Sequence, residues 1–339
     1  MDAPKIGLNH SALPIVSRLI KNASEYAVIV KKSELGATII DAGVNTVGGF
    51  LTGGLVTEIC LAGYGAAQIL PMKYGKVVLP SILVQTDQPT LAILASQFAG
   101  WYIKTEGFSA LASGPARALA RKPKDLFEKI KYNEESEIAI LVLETESKPP
   151  ESVIEQIAAK CKVEPRNLFL IVFSTTSQTG ATQVSGRVLE TGLCKLMGLG
   201  LNPWTIEYAW GSAPIAPIHP RLEVAMERVN SAVLLGGIAN YDVCIEDDQK
   251  LAELVKNAPS SASIAVQFSN TNTVQDSRRP SEEPSRFLQD LKKSGFDFFK
   301  IDPNLFAPSV VSVTSTRTGK IFRSGYVDAD GLESALGLS

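Results

Sequence analysis

The 339-residue sequence predicts an α/β fold of two related α/β lobes, an apparent internal duplication, with a ligand cleft between them. Three observations predict it. Helix-patterned and strand-patterned segments alternate along the chain, the plan of the first half recurs in the second, and the proline-interrupted stretch "ESKPPE" (Glu146–Glu151) separates the halves. The boundary is drawn there, giving an N-terminal lobe over 1–148 and a C-terminal lobe over 149–339, with the termini free to cross between lobes.

In order, "ALPIVSRLIKNASEY" has apolar residues at helical spacing, with Ser11 as its expected N-cap. "ATIIDAGV" is a strand, "NTVGGFLTGG" a glycine-rich loop and "LVTEICLAGYG" a second helix. "SILVQT" is a strand, "DQP" a turn, and "TLAILASQFAGW" a helix with Pro89 near its first turn. "WYIKT" and "EIAILVLETE" are strands on either side of "SGPARALARKPKDLFEKI". The second half runs helix "ESVIEQIAAKC", strand "NLFLIVFST", loop "TSQTGATQVSG" and helix "RVLETGLCKLMG", closed by Gly198 or Gly200. "WTIEYAW" follows as a strand, "RLEVAMERVNSA" as a helix after Pro220, and "VLLGG" as a returning strand. Residues 268–285 carry no apolar period and read as a long polar loop, and "SVVSVTSTRTGKIFRSGYV" reads as a hairpin through "TRTGK".

Two landmarks support the duplication. Glu58 in "GLVTE" and Glu190 in "GRVLE" stand 132 positions apart, and Pro89 and Pro220 stand 131 apart. If the halves are copies, Glu58 and Glu190 hold equivalent places; any alternating α/β chain can also produce such coincidences.

Composition narrows the function. Hydrophobic residues at 45%, charged residues at 20% and a net charge of −2 describe a soluble globular protein with no excess of positive charge for nucleic acid or a membrane. The amino terminus lacks the charged and apolar regions of a secretory signal, so a cytoplasmic protein is expected. Cys60, Cys161, Cys194 and Cys244 are scattered singly, and His10 and His219 are the only histidines. No metal site is expected from such a set. "DAGVNTVGGFLTGG" has neither Walker nor dinucleotide spacing, so no nucleotide is expected either.

Arg187 and Glu190 are the only charged residues between Arg166 and Lys195. Three apart on a helix they share a face, and they form either an ordinary exposed ion pair or a catalytic pair where water is scarce. The preceding loop, with Thr179, Gly180, Thr182 and Gln183, offers hydroxyls and helix N-terminal N–H groups to an anionic or carbonyl-bearing ligand, or simply caps the helix. Ser113, Gly114 and Pro115 lead into Arg117, which can face an anion at that helix start; Arg121, Lys122 and Lys124 add charge suited to a phosphate or carboxylate tail, or form a solvated helix face, the reading favoured for Lys122 and Lys124. Asp87 and Gln88 in "TDQP", and Lys300 in the proline-punctuated "KIDPNLFAP", complete the candidate substrate-binding residues. His219 is a proton carrier or a structural residue.

"DAGVN…GG", "TEICLAGYG", "TDQP", "SQFAGW", "SGPARALA", "GATQVSGRVLET", "APIAPIHP" and "KIDPNLFAP", in this order from about Leu8 to Gly325, together resemble methenyltetrahydromethanopterin cyclohydrolases. The resemblance implies a cytoplasmic, metal-free and usually trimeric hydrolase with a two-lobed α/β subunit. It implies interconversion of N5,N10-methenyl-tetrahydromethanopterin and the N5-formyl form, with the reduced pterin as substrate and no separate cofactor. The arginine and glutamate of the family's R-V-x-E motif fall on Arg187 and Glu190, which implies catalytic roles for both. Chemically, a carboxylate suits a cationic one-carbon bridge, because it stabilises the cation and takes a proton from the attacking water. An arginine that stays charged orients that carboxylate without competing for the proton.

Departures from the family pattern bear on the carrier. Gln88 stands where many archaeal members have histidine, Cys194 where histidine is common, "YAWGSAP" replaces a glycine-rich approach, and the region around Arg278 and Arg279 looks inserted. The alternatives are a cyclohydrolase acting on another reduced pterin such as tetrahydrofolate, a non-catalytic pterin-binding paralogue, and an unrelated phosphate-binding α/β enzyme.

Overall fold

The computed structural model describes residues 7–260 and 307–338, together with Asp290 and Lys293. The polar stretch 268–285, with Arg278 and Arg279, and the candidate Lys300 lie outside the described residues. In chain order the strands are β1 Ile29–Lys32, β2 Thr38–Gly43, β3 Gly65–Tyr74, β4 Val77–Thr86, β5 Trp101–Thr105, β6 Phe108–Ser113, β7 Ala139–Glu144, β8 Leu168–Phe173, β9 Ile206–Pro214, β10 Ile238–Val243, β11 Val310–Ser315 and β12 Ile321–Gly325. Ten α-helices are described. They are α1 Leu8–Lys21, α2 Phe50–Cys60, α3 Ala116–Ala120, α4 Lys124–Ile130, α5 Glu151–Cys161, α6 Gln178–Ser185, α7 Val188–Gly198, α8 Leu222–Gly236, α9 Asp248–Lys256 and α10 Ala329–Leu336. Among the described residues, no helix is long and apolar enough to cross a membrane.

The chain forms an α/β structure of two compact units, and neither is a continuous half. Unit 1 holds Met1–Ala67 and Thr90–Gln183; unit 2 holds Gln68–Pro89 and Val184–Ser339. "ESKPPE" joins β7 to α5 inside unit 1, so the two prolines mark a loop within a unit.

Unit 1 is built on the sheet β1-β2-β8-β7-β6-β5, in which β2, β8 and β7 run parallel. Alternate residues of these strands feed two cores. Ile40, Ala42, Ile140, Val142, Ile171 and Phe173 pack with α1 and α2, while Ile39, Leu141, Leu143, Leu168, Leu170 and Val172 pack with α3 and α5. A sheet covered on both faces needs apolar residues at every position, and this is why "AILVL" and "LFLIVF" are continuous rather than alternating. Each buried aliphatic side chain of these runs contributes about 1.5–3 kcal/mol.

Unit 2 contains the sheet β12-β11-β10-β9-β4-β3. β10 and β11 are paired in parallel, whereas β9 runs antiparallel to both β10 and β4 and β12 antiparallel to β11. Helices α7 and α8 pack on β9, α7 also on β10, and α10 on α8. The alternation appears here: Tyr208 and Trp210 of β9 are exposed, whereas Ala209 and Gly211 between and after them are buried.

The landmarks 131–132 residues apart follow strands that pair within each sheet. β2 and β8, the strands before the two glycine-rich stretches, are neighbours in one sheet of unit 1. β4 and β9, the strands before Pro89 and Pro220, are neighbours in one sheet of unit 2. Glu58 lies near the end of α2 and accepts the Ala67 N–H at 3.1 Å, whereas Glu190 lies in the first turn of α7.

Several local expectations are corrected. α1 starts at Leu8, ahead of Ser11, because the Glu134 carboxylate accepts the Leu8 and Asn9 N–H groups at 3.0 and 2.9 Å. "VLLG" is the last turn of α8, and the strand begins at Ile238. "TLAILASQ" is a π-helix, Thr90–Gln97, buried throughout. The stretch read as loop before Arg187 contains α6.

Candidate active site

At the carboxyl ends of β2 and β8 the two glycine-rich stretches of unit 1 interlock. A Cβ on Gly43 would stand 2.2 Å from Ser177 Oγ, one on Gly48 2.0 Å from Thr179 Oγ1, and one on Gly53 2.4 Å from Thr182 Cβ. Thr179 Oγ1 also accepts the Gly49 N–H at 3.2 Å. Gly180 approaches the Ser174 carbonyl so closely that a Cβ would lie 2.1 Å from it, which explains a glycine inside α6. Asp41 organises the first stretch by accepting from the N–H groups of Gly43, Val44 and Asn45 and from the Asn45 amide. Burial pushes the Asp41 carboxyl up, but these four donors outweigh it and hold it below the usual carboxylate range.

α6 ends at Ser185, and Gly186 and Arg187 separate it from α7. Arg187 is thus the N-cap residue of α7 rather than a member of a continuous helix, with φ −86° and ψ 6°. Its Nη1 donates to Glu190 Oε2 at 3.0 Å, and each side chain is 9% exposed. The exposed-pair alternative is therefore set aside: this ion pair is buried. Glu190 in the first turn is favoured by the N-terminal end of the helix dipole, and its charge offsets the arginine that sits there with the unfavourable sign. Once buried, each charge depends on the other, since removing one partner of such a pair costs about 3–5 kcal/mol.

Two hydrogen bonds to main-chain carbonyls hold this junction in unit 2. Ser185 Oγ donates to Pro214 O at 2.9 Å, and Tyr241 Oη donates to Leu189 O at 2.7 Å. Leu189 itself lies over Gly211, where a Cβ would stand 2.9 Å from its Cδ2. The pattern of apolar residues on α7 anticipated its packing face, but Tyr241, Gly192 and Gly211 gave no local signal, because their roles depend on strands that pair far along the chain.

The other candidates are placed as follows. Thr179, Gly180, Thr182 and Gln183 are buried on α6, with Gln183 Nε2 at 3.5 Å from Cys60 Sγ. Asp87 is exposed and Gln88 half-buried, its N–H donating to Thr86 Oγ1 at 3.0 Å. Ser113 and Gly114 are buried, Gly114 at φ +101°. Arg117 is buried at the start of α3. Its Nη1 donates to Leu94 O and Ser96 O at 3.1 and 2.9 Å, and its guanidinium stands 5.3 and 5.6 Å from the Phe98 and Phe127 ring centres. The carbonyls belong to the closing turn of the π-helix, where Arg117 acts as a C-terminal cap. Lys124 forms an exposed pair with Glu128, as a solvated face would. His219 Nδ1 accepts the Arg221 N–H at 3.1 Å in the turn before α8. Among the described residues, no three His, Cys, Asp or Glu side chains gather as a metal-holding group.

Comparison with known proteins covers this whole arrangement. Residues 7–336 match the family model described as Cyclohydrolase (MCH). The methenyltetrahydromethanopterin cyclohydrolase of Methanothermobacter marburgensis is 38% identical over 336 residues, spanning 98% of this chain and 100% of that protein. That of Methanocaldococcus jannaschii is 38% identical over 335 residues, 98% of each chain. That of Methanococcoides burtonii is 36% identical over 333 residues, 98% of this chain and 99% of its own.

Proposed function

Since the chain belongs to the cyclohydrolase (MCH) family, we propose that it interconverts N5,N10-methenyl-tetrahydromethanopterin plus water with N5-formyl-tetrahydromethanopterin, as a hydrolase acting on a cyclic amidine in one-carbon metabolism. One observation carries the assignment of roles: a buried carboxylate, Glu190, held at 3.0 Å by an arginine on the R-V-x-E stretch.

Water attacks the cationic methenyl carbon, and Glu190 takes one of its protons as the C–O bond forms. The bond from that carbon to N10 then breaks, N10 takes a proton, the hydroxyl loses its own, and the formyl group stays on N5. Overall, cation and water give formyl product and one proton. Before attack the same carboxylate faces a positive charge, which it stabilises. General-base action of this kind is worth about 10²–10⁴-fold, or roughly 3–5 kcal/mol of barrier. Arg187 fixes the carboxylate by a charge-assisted hydrogen bond and keeps its own proton throughout. These steps use protein side chains and water, with the pterin as substrate and no separate cofactor. Asp87 and Gln88 are proposed contacts of the carrier. A cytoplasmic homotrimer completes the proposal, and light scattering on the purified protein tests the trimer.

The direct test is loss of the near-ultraviolet absorbance of methenyl-tetrahydromethanopterin on adding the protein, with methenyl-tetrahydrofolate in parallel. Rapid loss with the first alone is expected. Rapid loss only with the second reassigns the carrier, and no loss with either contradicts the reaction.

A further inference from the structure

Tyr241 lies in the middle of β10 and is fully buried; its hydroxyl donates to the Leu189 carbonyl at 2.7 Å and takes a backbone hydrogen bond from Leu193, one turn further along α7. That carbonyl belongs to the peptide unit whose nitrogen is Glu190's own. The hydroxyl reaches it by passing over Gly192, where a Cβ would stand 2.3 Å from Tyr241 Oη and 3.2 Å from Pro308 Cγ. Two more glycines seat the same turn of α7. A Cβ on Gly211 would meet Leu189 Cδ2 at 2.9 Å, and one on Gly237 would meet Val188 Cγ2 at 3.1 Å. Val188, Leu189 and Gly192 are therefore fitted to the sheet, while Glu190, about 100° further round the helix from Leu189, is presented away from that contact. Burial, with a smaller contribution from Cys194, outweighs the backbone hydrogen bond from Leu193 and holds the Tyr241 phenol well above its usual range, so the hydroxyl keeps the proton it donates to Leu189 O.

We propose that Tyr241 is a positioning residue of the hydration reaction: its hydrogen bond to Leu189 O sets the first turn of α7 and through it the Glu190 carboxylate beside Arg187. This role rests on Glu190 being the base. A buried aromatic ring alone would pack equally well as phenylalanine; the hydroxyl and the missing Cβ at Gly192 are what the role requires.

Tyr241→Phe keeps the ring and removes only the hydroxyl. With saturating methenyl-tetrahydromethanopterin, kcat is expected to fall about tenfold or more, because misplacing a reacting group by 1 Å can cost about 10²-fold. KM should stay within about twofold, as expected when only transition-state interactions are lost. In a Glu190→Gln background the same change should leave the residual rate within about twofold, since the two residues act through one path. If Tyr241→Phe fails to fold, Gly192→Ala, whose Cβ displaces the hydroxyl, should give the same pattern. Wild-type kcat in these variants, or a loss that persists in full without the Glu190 carboxylate, overturns the role. Near-normal turnover of Glu190→Gln alone overturns the premise instead, and is seen without any Tyr241 variant.

Discussion

Arg117, fully buried in unit 1, donates to two main-chain carbonyls, whereas Arg187, 7% exposed in unit 2, donates to a carboxylate. Both burials remove a charge from water, which is tolerable only with partners of good geometry. The partners differ in kind. A carbonyl of a π-helix neither titrates nor moves, so Arg117 with Phe98 and Phe127 closes a segment of the fold. A carboxylate exchanges protons, so Arg187 holds a group that can do chemistry. Burial of an arginine thus says little about function until the acceptor is named.

The largest expected effect lies on the carboxylate side of this contrast. Glu190→Gln keeps an acceptor for Arg187 but removes the base and the charge opposite it, so kcat should drop by about 10²–10⁴-fold in a protein that still folds but melts below the wild type. Steady-state kinetics beside a thermal melt checks both halves.

Arg117→Met should do the reverse. It leaves the Leu94 and Ser96 carbonyls without this donor, for a stability loss of about 3 kcal/mol, with KM unchanged. Chemical denaturation measures the first and initial rates the second; a raised KM with unaltered stability would make Arg117 a substrate residue and break the comparison.

Arg187→Lys keeps the charge but loses the planar fork. About a tenfold fall in kcat is expected, smaller than for Glu190→Gln. An unchanged rate would show that charge alone suffices.

The smallest effect concerns Asp41. Its carboxyl is held below the usual range, so its contribution is complete above about pH 4 and is lost as pH falls through the lower folded value. Asp41→Asn should therefore lose less stability than the wild type on acidification below that point. Melting curves across the acid range read the difference, and parallel curves would contradict the loop-anchoring role.

Much of the fold was legible where local pattern and tertiary need agree. "ESVIEQIAAKC" coincides with α5, and the apolar runs of β7 and β8 needed no partner to be recognised. The strands β3 and β6 and the helix α6 were not legible. α6 carries the composition of a loop, and only close approach to Ser174 and interlocking with Gly48 and Gly53 reveals why Gly180 and the threonines sit in a helix. Ser11 had the chemistry of a cap, but the capping carboxylate comes from Glu134, far along the chain. In the candidate site, the Arg187–Glu190 contact followed from three-residue spacing, which survives the break at Gly186. What Arg117 touches did not follow, because its acceptors come from a segment some twenty residues earlier whose π-helical form has no local sequence signature. Division of the chain was obscured for a similar reason: unit 2 takes β4 from the first half and pairs it with β9 from the second.

The account turns on proton removal by one side chain, and chemical rescue addresses that step directly. Turnover of methenyl-tetrahydromethanopterin by Glu190→Ala should be nearly abolished, and added formate should restore it in a concentration-dependent manner by supplying a carboxylate in the vacated place. A Glu190→Ala protein as fast as the wild type, or a slow one indifferent to formate, would contradict the assignment of Glu190 as the base.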